Sequence, residues 1–412
     1  MPEFLKLVPP QQAVEQFLAA MPDPTPETIS LETQFAEGRV LAETFHAPHP
    51  LPPFTRSSVD GFAVRAADTF GASPSLPAYL TIAGEIEMGK QAALAIQPGQ
   101  AALVHTGGMI PTGANAVVML EDTQTIRAGE VEVHKPAADG ENILREGEDV
   151  ATGEELFSYG TLLRPQEIGG LIAYGYTQIR VYRNPTVGIL SSGDEIVPPG
   201  YEPGPGQVRD INSYTLGAML RLHGADPRVY GIVHDSFDEL ESAVRRAFTE
   251  NDMILITAGS SVSTRDITAD VIDSLGSPGV LFHGLALRPG KPTILALAEG
   301  KPVIGLPGNP VSAIVSAGLC VLPVLRKLRG LGQVSFKAAV QATLSQNIPS
   351  IAGREDYLPV RLEHGSEGIT AVPVFGRSNL IFTLVRADGL VRIPAAVTGL
   401  TGGSPVDVIL FS

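Results

Sequence analysis

Four loops between Ser191 and Pro310 hold the residues of this 412-residue chain best suited to chemistry. The first, Ser191-Ser192-Gly193-Asp194-Glu195, sets small residues whose backbone N–H groups can face an anion beside Glu195, which can take a proton or hold a cation. The second, His234-Asp235-Ser236, precedes an apolar helical pattern, and capping alone would explain its Asp and Ser. The third, Ala258 to Asp266, strings Gly259, Ser260, Ser261, Ser263 and Thr264 between an apolar strand and a helix start. Free N–H groups and the helix dipole attract anions to such a place. It lacks the Gly-Lys-Ser/Thr ending of a Walker A loop. The fourth, Leu306-Pro307-Gly308-Asn309-Pro310, offers Asn309 as a cap, Pro310 at the first helical position and Gly308 for close backbone approach. Just upstream, Arg288-Pro289-Gly290-Lys291-Pro292 mounts two cations on a rigid frame, suited to a di- or trianionic ligand. Glu195, Asp235 and Asp266 together are more negative charge than a phosphate site tolerates. A hard divalent cation such as Mg²⁺ would resolve that conflict.

Two clusters in the first half invite similar attention. Ser58-Val59-Asp60-Gly61-Phe62-Ala63-Val64 reads as an acid beside a glycine ahead of a strand, with an Asp-Gly hairpin turn as the plain alternative. Thr106 to Ala114 is a Gly/Pro loop longer than a tight hairpin needs. Arg145 to Asp149 adds charge at a junction.

The elements that must position these residues follow from periodicity. Pro9–Ala20 reads as a helix, with Val14, Phe17 and Leu18 at helical spacing. Short apolar runs at Tyr79–Ile82, Ala101–His105, Ala116–Leu120 and Val131–His134 read as strands. Pro165 opens a helix that Gly175 ends. From Thr186 strand and helix alternate: strand Thr186–Leu190, helix Ser213–His223 capped by Asn212, and strand Arg228–Val233. Next come a capping box at Ser236 and Glu239, whose helix turns Phe237, Leu240, Val244 and Phe248 inward, strand Met253–Thr257 and helix Ile267–Leu275. Strands near Leu281–Leu285 and Thr293–Ile304 and a closing helix Val311–Leu328 complete the series. Repeated β-α-β units predict a parallel sheet, with ligands at the carboxyl ends of its strands. Leu328–Gly332 reads as a linker. Beyond it, short strands such as Ala339–Thr343, Leu358–Leu362, Thr370–Val374 and Val406–Phe411 predict a further β domain.

Composition bounds the partners. With 29 Lys plus Arg against 44 Asp plus Glu, the net charge of −15 disfavours nucleic acid and anionic membranes. An anionic ligand must be held by local cations, backbone N–H groups or a metal. The one cysteine, Cys320, excludes an intrachain disulfide and reads as a packing residue in an apolar run. No uninterrupted apolar run of about 18 residues predicts a membrane span, and no leader pattern is evident, so the cytoplasm is expected.

Taken in order, these motifs resemble the MoeA/gephyrin family of molybdenum insertases. The matching pieces are Ser58 to Val64, Thr106-Gly107 with Ala116-Val117-Val118, Arg145 to Val150, Ser192 to Glu195, Pro289 to Pro292 and Leu306 to Ser312. The resemblance implies a multidomain α+β and α/β chain. Residues 1–47 with 148–182 would form a segmented N-terminal dimerisation domain, and 48–147 a β-rich insert. A central molybdopterin-binding-like domain with a parallel sheet would span 183–330, and a C-terminal β-barrel 336–412. It implies transfer of molybdate onto the dithiolene of adenylylated molybdopterin, releasing AMP, with Mg²⁺, in a cytoplasmic homodimer. The molybdopterin adenylyltransferase is a further expected partner.

The family's active-site acids fall on Glu195, Asp235 and Asp266, the same three that would hold Mg²⁺. Asp60, Thr106 and Asp149 fall where the family completes its site across the dimer. Molybdate is expected at Lys291, Pro292, Ser312, Arg354 and Ser378. Substrate contacts are expected at Ser191, Ser192, Gly193, Asp194, Gly259, Ser260, Ser261, Arg288, Lys291, Pro307, Gly308, Asn309 and Pro310. The third loop departs from the family: Gly259-Ser260-Ser261-Val262-Ser263 stands for a Gly-Gly-Val-Ser-type turn. Arg265-Asp266-Ile267-Thr268 looks more like the related adenylyltransferases, and Arg288 stands for a lysine. The competing readings are therefore an adenylyltransferase or pyrophosphate-cleaving relative, and a non-enzymatic scaffold.

Overall fold

The computed structural model describes residues 7–32, 36–258, 262–332, 340–366 and 368–411, without the side chains of 262–266. The chain divides into two units, one of residues 1–43, 159–169 and 176–412, the other of 44–158 and 170–175.

In the first unit a six-stranded sheet is built from β1 (Thr186–Ser192), β2 (Asp226–Val233), β3 (Met253–Ala258), β4 (Pro278–His283), β5 (Ile294–Ala298) and β6 (Lys301–Pro307), in the order β2-β1-β3-β6-β5-β4. β1 is buried along almost its whole length because helices cover both faces. Strands β2, β1, β3 and β6 are parallel. The sheet is mixed, however, because β5 runs antiparallel to both β4 and β6. The stretch expected as one strand, 293–304, is a hairpin. It turns at Glu299 and Gly300, both at positive φ (48° and 79°), the geometry of a two-residue turn that matches strand twist.

The helices correct three local expectations. Asn212 lies inside the helix Asn212–Leu222, and its amide donates to the Gly308 carbonyl (2.8 Å). Asp210 takes the capping role, accepting from the Ser213 N–H at 3.2 Å. The helix Phe237–Glu250 starts at Ser236 without a side-chain cap bond, and Phe237 stays 38% exposed while Leu240 and Val244 are buried. The closing helix, Pro310–Leu328, widens into a π turn at Ala317–Val321, just before Pro323, which has no N–H to donate. By length and composition this helix could cross a membrane. It lies in the core, with Val311, Val315, Cys320 and Val324 buried.

The C-terminal strands β7 (Val340–Leu344), β8 (Glu355–Gly365), β9 (Gly368–Pro373), β10 (Gly389–Ile393) and β11 (Pro405–Leu410) close into a barrel. They pair in the order β8-β9-β7-β11-β10, and β10 returns to β8. Leu287–Arg288 adds a parallel edge to β8, pairing with Glu355 and Asp356. The N-terminal helix Pro10–Ala20 buries Ala13, Val14, Phe17 and Leu18 in one core with residues of the α/β domain and the barrel. The expected linker is a packed corner. Arg329 is 8% exposed and donates to the carbonyls of His223 (2.6 Å) and Gly38. Gly330 leaves no room for a Cβ, which would lie 2.0 Å from the Tyr182 ring.

The second unit is organised on a six-stranded sheet ordered Ala116–Met119, Gly61–Val64, Gln100–Val104, Ala78–Glu85, Glu130–Val133 and Thr123–Arg127. The Asp60-Gly61 pair makes no hairpin turn: Gly61 opens a strand, where a Cβ would meet the Val118 carbonyl oxygen at 2.0 Å. Close strand approach, rather than a turn, therefore requires that glycine.

Candidate functional site

The carboxyl ends of β1, β2 and β6 carry three of the four chemistry-bearing loops. β1 runs through Ser192, so the Ser191 side chain is fully buried, its hydroxyl 2.9 Å from that of Ser213 and 3.1 Å from that of Thr257. That hydroxyl therefore locks β1 to its neighbours, although the motif alone would place it against substrate. One residue on, Ser192 donates to Asp235 at 2.7 Å. The Asp194 carboxylate accepts from the Asp235 N–H (3.3 Å) and lies 3.0 Å from His234 Nδ1. The His234 hydrogen bond first, and that N–H second, hold the Asp194 carboxyl below its ordinary range. Gly193 keeps this turn tight, since a Cβ there would lie 2.7 Å from the Glu195 carboxylate. Gly259, Ser260 and Ser261, and the side chain of Asp266, lie outside the described residues.

The described residues contain no cluster of three or more His, Cys, Asp or Glu able to hold a metal. Glu195 and Asp235 are nevertheless hard oxygen donors. Mg²⁺ usually takes one or two carboxylates and completes its shell with water and substrate phosphate. Their chemistry fits an ion that arrives with a phosphorylated ligand.

The fourth loop and the Arg288–Pro292 frame meet elsewhere. With the start of β8 and the loop around Ser378 they line a cleft of about 860 Å³. Arg288, Lys291, Pro292, Pro307, Asn309, Ser312, Arg354 and Ser378 all face it, whereas Glu195 and Asp235 do not. The pairing of Leu287–Arg288 with Glu355–Asp356 stitches the basic frame to the barrel. Asn309 donates to the Ser378 hydroxyl at 3.2 Å, and the Val311 N–H to the Ser378 carbonyl at 3.0 Å. Gly290 is required because a Cβ there would lie 2.4 Å from Ser316 Oγ. Gly308 contributes its carbonyl to Asn212 rather than to the cleft.

Among the cleft residues that sequence reasoning missed are Ser350, Asp356 and Arg377. Asp356 is buried and accepts from Arg354 Nε (3.1 Å) and Ser350 (2.8 Å), with Arg288 at 3.5 Å. The available signal was the Arg354-Glu355-Asp356 run opening a strand. Four cations, Arg288, Lys291, Arg354 and Arg377, thus face one carboxylate in a protein of net charge −15.

In the second unit, Asp60 accepts twice from Thr106, from its N–H at 2.8 Å and its hydroxyl at 3.2 Å. That backbone N–H is the main influence holding the Asp60 carboxyl below its ordinary range. His105 stands beside them, between Asp60 and Glu85. Neither His105 nor Glu85 was singled out from sequence. Asp149 is exposed and is tied through its N–H to the Leu51 carbonyl, at 3.0 Å.

An open α/β sheet with small-residue loops at its strand ends, joined to a barrel beside a cationic cleft, has the layout of α/β proteins that bind ligands at the carboxyl ends of their strands. Family models identify the family. The MoeA N-terminal region (domain I and II) matches residues 8–175, the "Probable molybdopterin binding domain" 188–327, and the MoeA C-terminal region (domain IV) 341–411. A molybdopterin biosynthesis protein of Methanocaldococcus jannaschii is 34% identical over 91% of this chain and 90% of its own length. A molybdopterin molybdenumtransferase of Staphylococcus epidermidis is 31% identical over 93% and 91%. The crystal structure of a molybdopterin biosynthesis MoeA protein from Pyrococcus horikoshii superposes with a TM-score of 0.82 at 37% identity, covering 99% of this chain and all of that one. The chain belongs to the MoeA family.

Proposed function

We propose that this protein is a molybdenum insertase, which transfers molybdate onto the dithiolene of adenylylated molybdopterin, releases AMP and forms molybdenum cofactor. The observation that carries the reading is the cleft whose four cations face a single carboxylate. Molybdate is a small dianion, and planar guanidinium forks with a lysine suit an oxyanion. Arg288, Lys291 and Arg354 bind it, while Ser312 and Ser378 supply hydroxyls. Ser192, Asp194, Gly193 and the loop Gly259–Ser261 hold the adenylyl end, and Glu195, Asp235 and Asp266 serve its pyrophosphate linkage.

Two thiols of the pterin replace two oxygens of molybdate, which leave as water or hydroxide, and molybdenum keeps its oxidation state. Water adds to the adenylyl phosphorus as the P–O–P linkage breaks, so AMP departs. No protein cysteine enters this balance, consistent with the burial of Cys320. Mg²⁺, held by Glu195, Asp235 and Asp266, would neutralise phosphate charge. Asp60, Thr106 and Asp149 are assigned to the same reaction, contributed by a second copy in a homodimer.

The test is AMP release from adenylylated molybdopterin by purified protein with molybdate and Mg²⁺. Wild type is expected to release AMP and yield active cofactor, and Lys291→Ala to need roughly tenfold more molybdate, about the loss of one charge-assisted contact. No AMP above blank from a folded sample removes the insertase reading. Conversion of unmodified molybdopterin with ATP instead would mark an adenylyltransferase.

A further inference from the structure

Three strand ends in the second unit bring an acid, an imidazole and another acid into line. Strand Gly61–Val64 runs antiparallel to Gln100–Val104 with Gly61 opposite Val104, so Asp60 and His105, one residue beyond each, are neighbours. Strand Ala78–Glu85 runs parallel to the same central strand and ends at Glu85, opposite Leu103. His105 Nε2 lies 2.9 Å from Glu85 Oε1, and Nδ1 lies 3.7 Å from Asp60 Oδ1. Thr106 also delivers both its donors to Asp60 Oδ1. Every side-chain contact described for Asp60 therefore falls on Oδ1, and Oδ2 takes none among the described residues.

We infer that His105 is a positioning residue, which holds Asp60 with Oδ2 presented outward and acts as the bridging cation of a Glu85–His105–Asp60 chain. Nε2 hydrogen-bonds Glu85, whereas the Asp60 contact at 3.7 Å is an ion-pair distance, so it attracts Asp60 only while the ring is a cation. A neutral ring serves one acid and turns a lone pair to the other. Glu85 at 2.9 Å is the nearer acid, so the Asp60 contact at 3.7 Å is the weaker end of the chain. The adjacent loop charges Glu87 and Lys90 pair with each other and add little net field. The lowered Asp60 carboxyl, to which His105 contributes after Thr106, agrees with this arrangement. This inference rests on the proposed role of Asp60 in insertion.

The experiment measures kcat and KM for AMP release across pH in wild type, His105→Gln, His105→Arg, Glu85→Gln and Asp60→Asn, with folding followed by circular dichroism. His105→Gln should lower kcat roughly ten- to a hundredfold with little change in KM, the scale of a misplaced reacting group. His105→Arg, a permanent cation, should restore most of the rate. An inactive Asp60→Asn beside a His105→Gln of unaltered rate and pH profile overturns the inference alone. An Asp60→Asn of full activity removes Asp60 from the reaction and the inference with it. Should wild type release no AMP, the insertase reading fails. Histidine ¹⁵N spectra then decide separately: a doubly protonated His105 signal that Glu85→Gln abolishes supports the chain, and a neutral ring in wild type at acidic pH overturns it.

Discussion

Cys320 shows how far a single side chain can be read. Its apolar neighbours suggested packing, and it proves fully buried, with burial pushing the thiol up to about 12. Thiolate is the reactive form, so native protein is expected to leave a disulfide reagent such as DTNB unreacted, and to consume one equivalent once unfolded in guanidinium. Rapid reaction of the native state would contradict that burial. The cleft residues divide differently. Lys291 and Arg288 were legible because two cations on a Pro/Gly frame are conspicuous in an acidic chain. Asp356 was harder to read, because the run Arg354-Glu355-Asp356 does not show Arg288, which the pairing of Leu287–Arg288 with the barrel brings beside it. His105 was missed for the same reason: its acids come from two other strands.

Among the elements, most strands and helices followed from their apolar period, and the misreadings were local. The hairpin at Glu299-Gly300 escaped because Glu seldom takes positive φ, and the apolar runs on either side fuse into one apparent strand. The cap of helix Asn212–Leu222 was placed at Asn212 when Asp210 supplies it, a two-residue error that side-chain type cannot resolve. The corner after helix Leu322–Leu328 was the larger surprise. Arg329 binds carbonyls from two distant segments, while burial first, then Arg326 and Arg39, draws its guanidinium down. Arg329→Met keeps the bulk, loses two charge-assisted bonds and removes a buried charge. A net loss of about 2 kcal/mol in urea unfolding is expected, and unchanged or greater stability would show the desolvation cost to dominate.

At the scale of the molecule, the family and architecture were readable because the motifs recur in a fixed order along nearly the whole chain. How the parts share a core was not. Phe17 of the N-terminal helix, Val315 of the α/β domain, and Tyr357 and Leu390 of the barrel belong to one buried cluster. The barrel should therefore not melt by itself: calorimetry is expected to show the α/β domain and barrel unfolding in one transition. A fragment ending at Gly332 should bind a hydrophobic dye through its uncovered face. Two resolved transitions, or a monomeric dye-silent fragment, would separate them.

The two-position ladder joining Leu287–Arg288 to Glu355–Asp356 sets a rule for anyone reshaping this protein. Leu287 is buried while the Arg288 side chain is exposed, because alternate residues of a strand point to opposite sides. Adding or deleting one residue beside either segment would exchange those sides and turn the arginine inward. Grafts from relatives must therefore conserve the count of residues on either side of the join as well as the cleft's own side chains.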